Sequence, residues 1–512
     1  MEPVRAGFEG TALAQIRALA EGAGLVAAHP VAVMVEAQVW LDAPGTGDDA
    51  LVDLKRLPLS TIDYPTSMDL DQAVAIEEEE GGFVVWYAIA DASYYARPGT
   101  PIHAEALRRG ATFYMPGLTI PMLPTVLSEG QASLLPDVDR RALVFRMRIA
   151  ADGTTRGTSI LRARVRSRLK TSYVAVQAFF DGGAPLSADE AVNASLRRLA
   201  LVGRARIRQA DSRGVVRVRR NEIAVTLADG RGMSFMALRE ARTDVERWNE
   251  QISLLANAEG AAALARAAGP HVHPIYRVME PPVASRLEDL SQRIEALARM
   301  HGRDWRWRTS EPLADFLASL PDDPVAQAIH RQAMLVGGSA AYVADPGPHA
   351  GVGVELYARF TAPMREIVGV FSHRELIATL EGGHAGSDDA LRDEVIASAS
   401  RARSLQRDLD REINELVVDQ LFADDLATGR TRTATVMGIA RDKVHLTLAD
   451  PPIDVKWYVA HARRQTGREL AAARDLLTLG DADGTWLKVG DAVEIRVAGY
   501  DAGAKRWELA RA

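Results

Sequence analysis

The sequence predicts an α+β fold, on three observations. Strand-like runs and hairpin signals dominate residues 56 to 170. Helical periodicity dominates from 244 to 422, and short strands between turn dipeptides fill the chain from 429 onward. A mixed sheet with packed helices, followed by a separate small β unit, accounts for all three. The 512 residues are 47% hydrophobic and 25% charged, which is material for about three ordinary domains.

Residues 1–55 read as a small, mostly helical or winged-helix-like unit. The stretch TALAQIRALAEGAG carries a capping Thr11 and the stop signals Gly22 and Gly24, and DAPGTGDDA reads as a linker. No strong break interrupts residues 56–428, which form the second expected domain. Within it, AVAIEEE and FVVWYAIAD flank a Gly-containing turn and predict a hairpin, with the acidic run Glu77–Glu80 as a solvated tip. Further strands are expected at 142–150 and 158–169. Helices are expected at 244–268, on the apolar line Val245, Trp248, Ile252 and Leu255, and at 285–300 and 389–422. Residues 429–512 contain five or so short strands, with turns at Gly490-Asp491 and Ala502-Gly503, and fit a closed barrel of the OB type.

Composition excludes several chemistries. With no cysteine, disulfides, thiol nucleophiles and cysteine-ligated metals are absent. No lysine follows a Gly-rich loop in GxxxxGK[ST] form, so a P-loop is excluded. No secretory signal and no membrane-spanning run is visible, and a cytoplasmic monomer without membrane contact is the expectation.

The net charge of -7 at first disfavours a nucleic-acid partner, but it conceals segregation. Residues 140–170 carry nine Arg and one Lys against one Asp, and residues 197–220 carry nine Arg against one Asp. In ILRARVRSRLK, the basic residues Arg162, Arg164, Arg166, Arg168 and Lys170 alternate, so an extended strand presents all five on one face. A polyanion-facing surface and a salt-bridged solvated face are the two readings of that stripe. Arg401, Arg403, Arg407 and Arg411 on the long helix read as a solvated face.

The stretch STIDYPTSMDLDQAVAIE clusters Asp63, Asp69 and Asp71 just before the first strong strand, and Asp91 ends the paired strand, which is expected to bring it near the same rim. Clustered carboxylates repel unless a cation lies among them, and hard oxygen donors without His or Cys favour Mg²⁺ or Mn²⁺. An EF-hand counted from Asp69 places Val74 where glycine is needed, so it fails. Turn and capping roles remain the competing explanation.

These residues resemble the signature of the ribonuclease II (RNB) family of 3′–5′ exoribonucleases. The segments YAIADASYYARPGTPIHAEALRRGATFYMPGLTIPMLP, LSEGQASLLPDVDRRAL, WNEQISLLAN, IYRVMEPP and YARFTAPMREIVGVFSHREL follow in family order, so the resemblance spans about 56–428. The C-terminal barrel resembles the RNA-binding OB domain that usually closes such proteins. The resemblance implies a hydrolase that degrades single-stranded RNA to nucleoside 5′-monophosphates with one or two Mg²⁺ (or Mn²⁺) ions. It makes Asp63, Asp69 and Asp71 metal-site aspartates, with Gln72 as an uncharged fourth ligand through its amide oxygen, Asp69 and Asp71 with Arg365 the catalytic set, and Tyr114 the platform for the 3′-terminal base. Glu250 falls near the terminal nucleotide and Tyr173 further along the RNA, with Arg162, Arg164 and Arg166 holding upstream phosphates. Departures are Gln72 for a fourth aspartate, Val218 for a Phe, Glu366 for a second basic residue, Ile367 for a Tyr, and Gly369 for an acidic one. They keep a catalytically impaired RNA-binding regulator as the alternative.

Overall fold

The structure, a computed structural model, describes residues 11–215, 222–228, 232–240, 242–382 and 388–512. Val218 lies outside them. Thr11 caps the helix Ala12–Gly22, its hydroxyl accepting from the Ala14 N–H, and the helix Val31–Asp42 follows.

A six-stranded mixed sheet forms the centre. The expected hairpin pairs Gln72–Glu79 with Gly82–Ala90, and Gly81 takes the turn at φ +71°. A second hairpin joins Asp139–Ala150 to the long strand Thr155–Ser172. The end of that strand runs parallel to Leu59–Asp63, so that Asp63 stands opposite Ser172. Both faces of the sheet are covered. Ala73, Ala75, Trp86 and Ala88 meet the helices Val31–Asp42, Pro101–Arg109 and Ile367–Glu381 on one side. Val74, Ile76, Val85 and Tyr87 meet Glu190–Ser212 and Asp244–Ala267 on the other. Burial on both faces is why these strands read as continuous apolar runs.

Helix Asp244–Ala267 opens on a capping box between Thr243 and Glu246. It crosses Glu190–Ser212 at Gly203, where a Cβ would lie 2.3 Å from that of Trp248. Helix Asp389–Thr428 is longer than the periodicity suggests and stops at Gly429, in the left-handed region. Beyond it, Asp454–Tyr458, Lys443–Leu448, Thr431–Ile439, Ala492–Asp501 and Arg506–Arg511 form an antiparallel five-stranded sheet of OB type. Ala471–Ala472, Thr478–Asp481 and Gly484–Lys488 add a small three-stranded sheet that the strand count missed.

Three charged features differ from expectation. The Glu77–Glu80 tip is not simply solvated: Glu78 takes Arg198 at 3.1 Å, Glu79 takes Arg148 at 3.0 Å, and Glu77 accepts from the Trp86 indole. Asp91 is buried away from the cleft, capping a short helix and pairing with Arg141 at 3.4 Å. Arg162, Arg164 and Arg166 alternate with the buried Ala163 and Val165, but the register against Leu59–Asp63 skips Arg168, and Leu169 packs into the opposite core from Val165. The five basic residues therefore do not share one face, and the arginines are also largely neutralised. Arg162 pairs with Glu381 and Asp48, Arg166 with Asp139 and Arg168 with Asp189, while Arg164 stands opposite Asp53.

Arg141 ties the linker to the sheet. Its fully buried guanidinium donates to Gly45 O (2.6 Å) and Asp48 (3.2 Å), and stacks 3.7 Å from the Tyr94 ring. Replacing it leaves the buried Asp91 carboxylate without a cation. We expect Arg141→Ala to cost about 3–5 kcal/mol in denaturant unfolding. Limited proteolysis should then cut the 43–50 segment first.

Candidate active site

Asp63 lies at the last position of its strand, where the chain turns. Its carboxylate accepts from Tyr64 N (2.7 Å) and Ser67 Oγ (3.0 Å), and Ser67 N closes the turn on Tyr64 O. The loop is then tacked to Ser133, whose hydroxyl donates to Met68 O and accepts from Leu70 N. This fixes Asp69 and Asp71 at the mouth of the hairpin.

Opposite them runs the segment 357–366. The fully buried Asn257 side chain holds it, accepting from Phe360 N (2.8 Å) and donating to Tyr357 OH (3.0 Å) and Thr361 Oγ1 (3.1 Å). Arg365 emerges from this segment and bonds Asp71 at 2.7 Å, and Asp71 also accepts from Met364 N. Arg365 lies 3.8 Å from Asp69. Burial pushes the Asp71 carboxyl up to about 7 against the pull of Arg365, and Asp71 in turn holds the Arg365 guanidinium above its ordinary value despite burial.

Backbone bonds from Thr112 N to Arg365 O and from Ile367 N to Gly110 O zip this segment to the strand Phe113–Met115. There Phe113 and Met115 turn inward and Tyr114 outward, its hydroxyl 3.2 Å from Asp69. Gln406 of the long helix clasps the Tyr114 backbone on both its N–H and its C=O. The result is a cleft of about 950 Å³ lined by Asp63, Asp69, Gln72, Tyr114, Tyr173, Glu250, Arg359 and Arg365.

The sequence-predicted residues divide in two. Asp63, Asp69, Tyr114, Tyr173, Glu250 and Arg365 share the cleft, with Asp71 just behind Arg365. Glu250 faces Arg242 at 3.4 Å, and Tyr173 packs edge-on against Tyr64. Arg162, Arg164 and Arg166 line neither this cleft nor the larger cavity beside it. Gln72 also differs from expectation: its amide donates to Thr361 O and accepts from Tyr87 OH at 2.5 Å, so both of its ends are engaged within the protein.

Sequence reasoning missed Arg359 and Asn257. Asn257 gave only the weak signal of a polar residue on an apolar helical stripe. Arg359 lies six residues before Arg365 in the same segment, where its fork to Glu366 is not visible from spacing.

A larger cavity of about 1420 Å³ begins at Tyr114 and follows the long helix to the barrel. Its lining is mixed in charge: Arg331, Arg407, Arg411, Lys456, Lys505 and Arg506 stand among Asp322, Asp410, Glu415, Asp419 and Asp454, with Arg331 paired to Asp454 at 2.9 Å. Arg407 and Arg411 lie on an exposed face, as expected, and border this groove, Arg411 pairing with Asp408 at 3.0 Å; Arg403 departs from expectation and turns inward to Ala340 O.

The donor set suits a hard divalent ion in chemistry, since Asp63 and Asp69 present carboxylate oxygens to the cleft. Asp71, however, is held by Arg365 and Gln72 by its two partners. Among the described residues, the one group of three His, Asp or Glu ligand atoms within 4.8 Å of one another is His461, Asp501 and Glu508, in the barrel.

Residues 51–382 match the RNB domain family. The chain is 27% identical over 475 residues to ribonuclease R of Escherichia coli, covering 89% of this chain and 57% of that protein. It therefore spans little more than half the length of that curated relative. In fold, it resembles Mycoplasma genitalium RNase R in complex with ribose-methylated single-stranded RNA. The TM-score is 0.86 at 21% identity, over 98% of this chain and 78% of the other. It also resembles yeast Ssd1, described as a pseudonuclease, with a TM-score of 0.66 at 14% identity over 92% of this chain and 54% of the other.

Because Asn257 alone holds three groups of the 357–366 segment, Asn257→Ala should destabilise the fold by about 2–4 kcal/mol, read by denaturant melts. Any activity should fall further than stability does, since Arg365 loses its fixed bearing.

Proposed function

The chain belongs to the RNB family, and on that premise we propose that it is a hydrolytic 3′–5′ exoribonuclease releasing nucleoside 5′-monophosphates from single-stranded RNA. One observation carries the reading. A single cleft joins an aromatic face, two hard carboxylates and a preorganised guanidinium, with Tyr114 3.2 Å and Arg365 3.8 Å from Asp69.

Each residue has a physical task. Tyr114 stacks on the terminal base, which supplies about 1–3 kcal/mol whatever the base and so suits stepwise removal without sequence preference. Arg365, oriented by Asp71, offsets charge that develops on the non-bridging phosphate oxygens, a contribution of about 3–4 kcal/mol for a fixed donor. Glu250 lies beside the terminal ribose and Tyr173 borders the path of the preceding nucleotides. Upstream phosphates follow the larger cavity toward the barrel, met by the lysines and arginines of its mixed lining, so binding weakens as salt rises and counterion release loses its advantage. A divalent ion, Mg²⁺ or Mn²⁺, would be held by Asp63 and Asp69, and would supply a water of lowered pKa and charge neutralisation at the phosphate.

A second reading, an RNA-binding protein without turnover, draws on one observation: the Gln72 amide is tied to Tyr87 and Thr361 where relatives place a fourth aspartate. Incubation of a single-stranded oligoribonucleotide with protein and Mg²⁺ separates the two. Ladder products and mononucleotides are expected. Binding without mononucleotide release at any metal concentration favours the second reading.

Under the first, Asp71→Asn should abolish turnover while leaving RNA affinity nearly intact, checked by fluorescence anisotropy. Tyr114→Ala should weaken binding of the 3′ end by roughly fivefold to a hundredfold, the size of one lost stack. Pre-steady-state binding of 3′-labelled RNA reads that directly.

A further inference from the structure

Position 366 carries a glutamate where the family motif has a basic residue, and the structure shows what that glutamate does. Its carboxylate takes a fork from Arg359, Nη2 to Oε1 at 2.5 Å and Nε to Oε2 at 3.1 Å. Tyr342 OH donates to the same carboxylate at 3.1 Å, and Arg277 donates to Tyr342 OH at 3.2 Å. Burial works to raise the Glu366 carboxyl, yet the Arg359 guanidinium holds it at about 2, so the carboxylate is charged at any working pH. Glu366 is also fixed through its backbone, by a bridge to Ala111 and an N–H bond to Ala362 O.

The fork uses only part of the guanidinium. Arginine has five N–H donors, and those on Nη1 have no place in the Glu366 fork. The Arg359 side chain is 26% exposed and lines the same cleft as Asp69, Tyr114 and Arg365. Its orientation is set by the half-buried Glu366 carboxylate, itself held by Tyr342, so little rotamer freedom remains to be lost when a ligand arrives. A planar cation with unused paired donors in an anion-processing cleft matches the geometry of a phosphate diester.

We propose that Arg359 is a phosphate-binding residue of the RNA track and Glu366 its positioning residue, the phosphate taking the guanidinium donors that the fork leaves over. The inference rests on the exoribonuclease reading only for the identity of its ligand, a phosphodiester of single-stranded RNA. Arg359 contacts the phosphate in the ground state, so its loss weakens binding more than it slows turnover.

The test uses a fluorescein-labelled oligoribonucleotide titrated in EDTA over a range of salt, so that hydrolysis plays no part. Arg359→Ala by itself leaves Glu366 as an unpaired carboxylate that repels RNA, so the decisive protein is the double variant Arg359→Ala with Glu366→Ala. It is expected to bind roughly tenfold more weakly than wild type, the size of one lost charged contact. Its log Kd against log salt slope should fall by about 0.7, the counterion share of one single-strand phosphate. Arg359→Lys should regain part of the affinity and the full slope, and its far-UV spectrum and melting curve report folding independently. Wild-type affinity and slope in the double variant would overturn the proposal, because Arg359 would then only neutralise Glu366. Mononucleotide release by wild type is scored separately: binding without release defeats the exoribonuclease reading and leaves the assignment of Arg359 standing. A wild type that does not bind RNA defeats both.

Discussion

A buried carboxylate against a guanidinium, Asp71 on Arg365, joins the two halves of the cleft. The first belongs to the mouth of a sheet hairpin and the second to a segment nearly 300 residues away. A charge as enclosed as Asp71 is tolerable only with a partner and further hydrogen bonds, which Arg365 and the Met364 N–H provide. Everything around the pair serves its geometry. Ser133 tacks the Asp69 loop, Asn257 clamps the Arg365 segment, and the 110–112 backbone brings Tyr114 alongside. Gln72 extends the same seam on the other side, linking Tyr87 of the sheet to Thr361.

Much of the fold was legible because local signals agreed with the tertiary outcome. Thr11, the Gly81 turn and the stripe from Val245 to Leu255 act through neighbours within a few residues. The extra small sheet at 471–488 escaped because its strands are two to five residues long and carry little periodicity. The cleft was legible only in part. Asp63 and Asp69 were grouped by their spacing in one loop, whereas Tyr114 and Arg365 were found through the resemblance, since they come from separate segments. Arg359 and Asn257 were missed because their roles depend on partners 7 to 104 residues away.

Charge gave the least reliable guide. Five alternating basic residues on one strand looked like an RNA surface, yet Asp48, Asp139, Asp189 and Glu381 arrive from elsewhere in the chain to meet them. Arg407 and Arg411 are exposed, as the spacing led one to expect, and they also border the groove beside Tyr114. A linear count records how much charge a segment carries. Which charges remain uncompensated is settled by the acidic residues that folding brings alongside, and the sequence does not order those by distance.

The helix Asp389–Thr428 has a consequence of scale. One point on it, Gln406, grips the backbone of Tyr114, and another, Phe422, packs against Trp507 of the barrel. Sixteen residues of α-helix separate them by about 24 Å, a distance that cannot stretch or shrink without unwinding the rod. At about 3.4 Å per nucleotide of stacked strand, that is roughly seven nucleotides. The helix is thus a built-in ruler. On the proposed function, a strand longer than the ruler would reach from the cleft to the barrel and a shorter one would meet the aromatic end alone, which makes grip a step function of length and not a gradual decline.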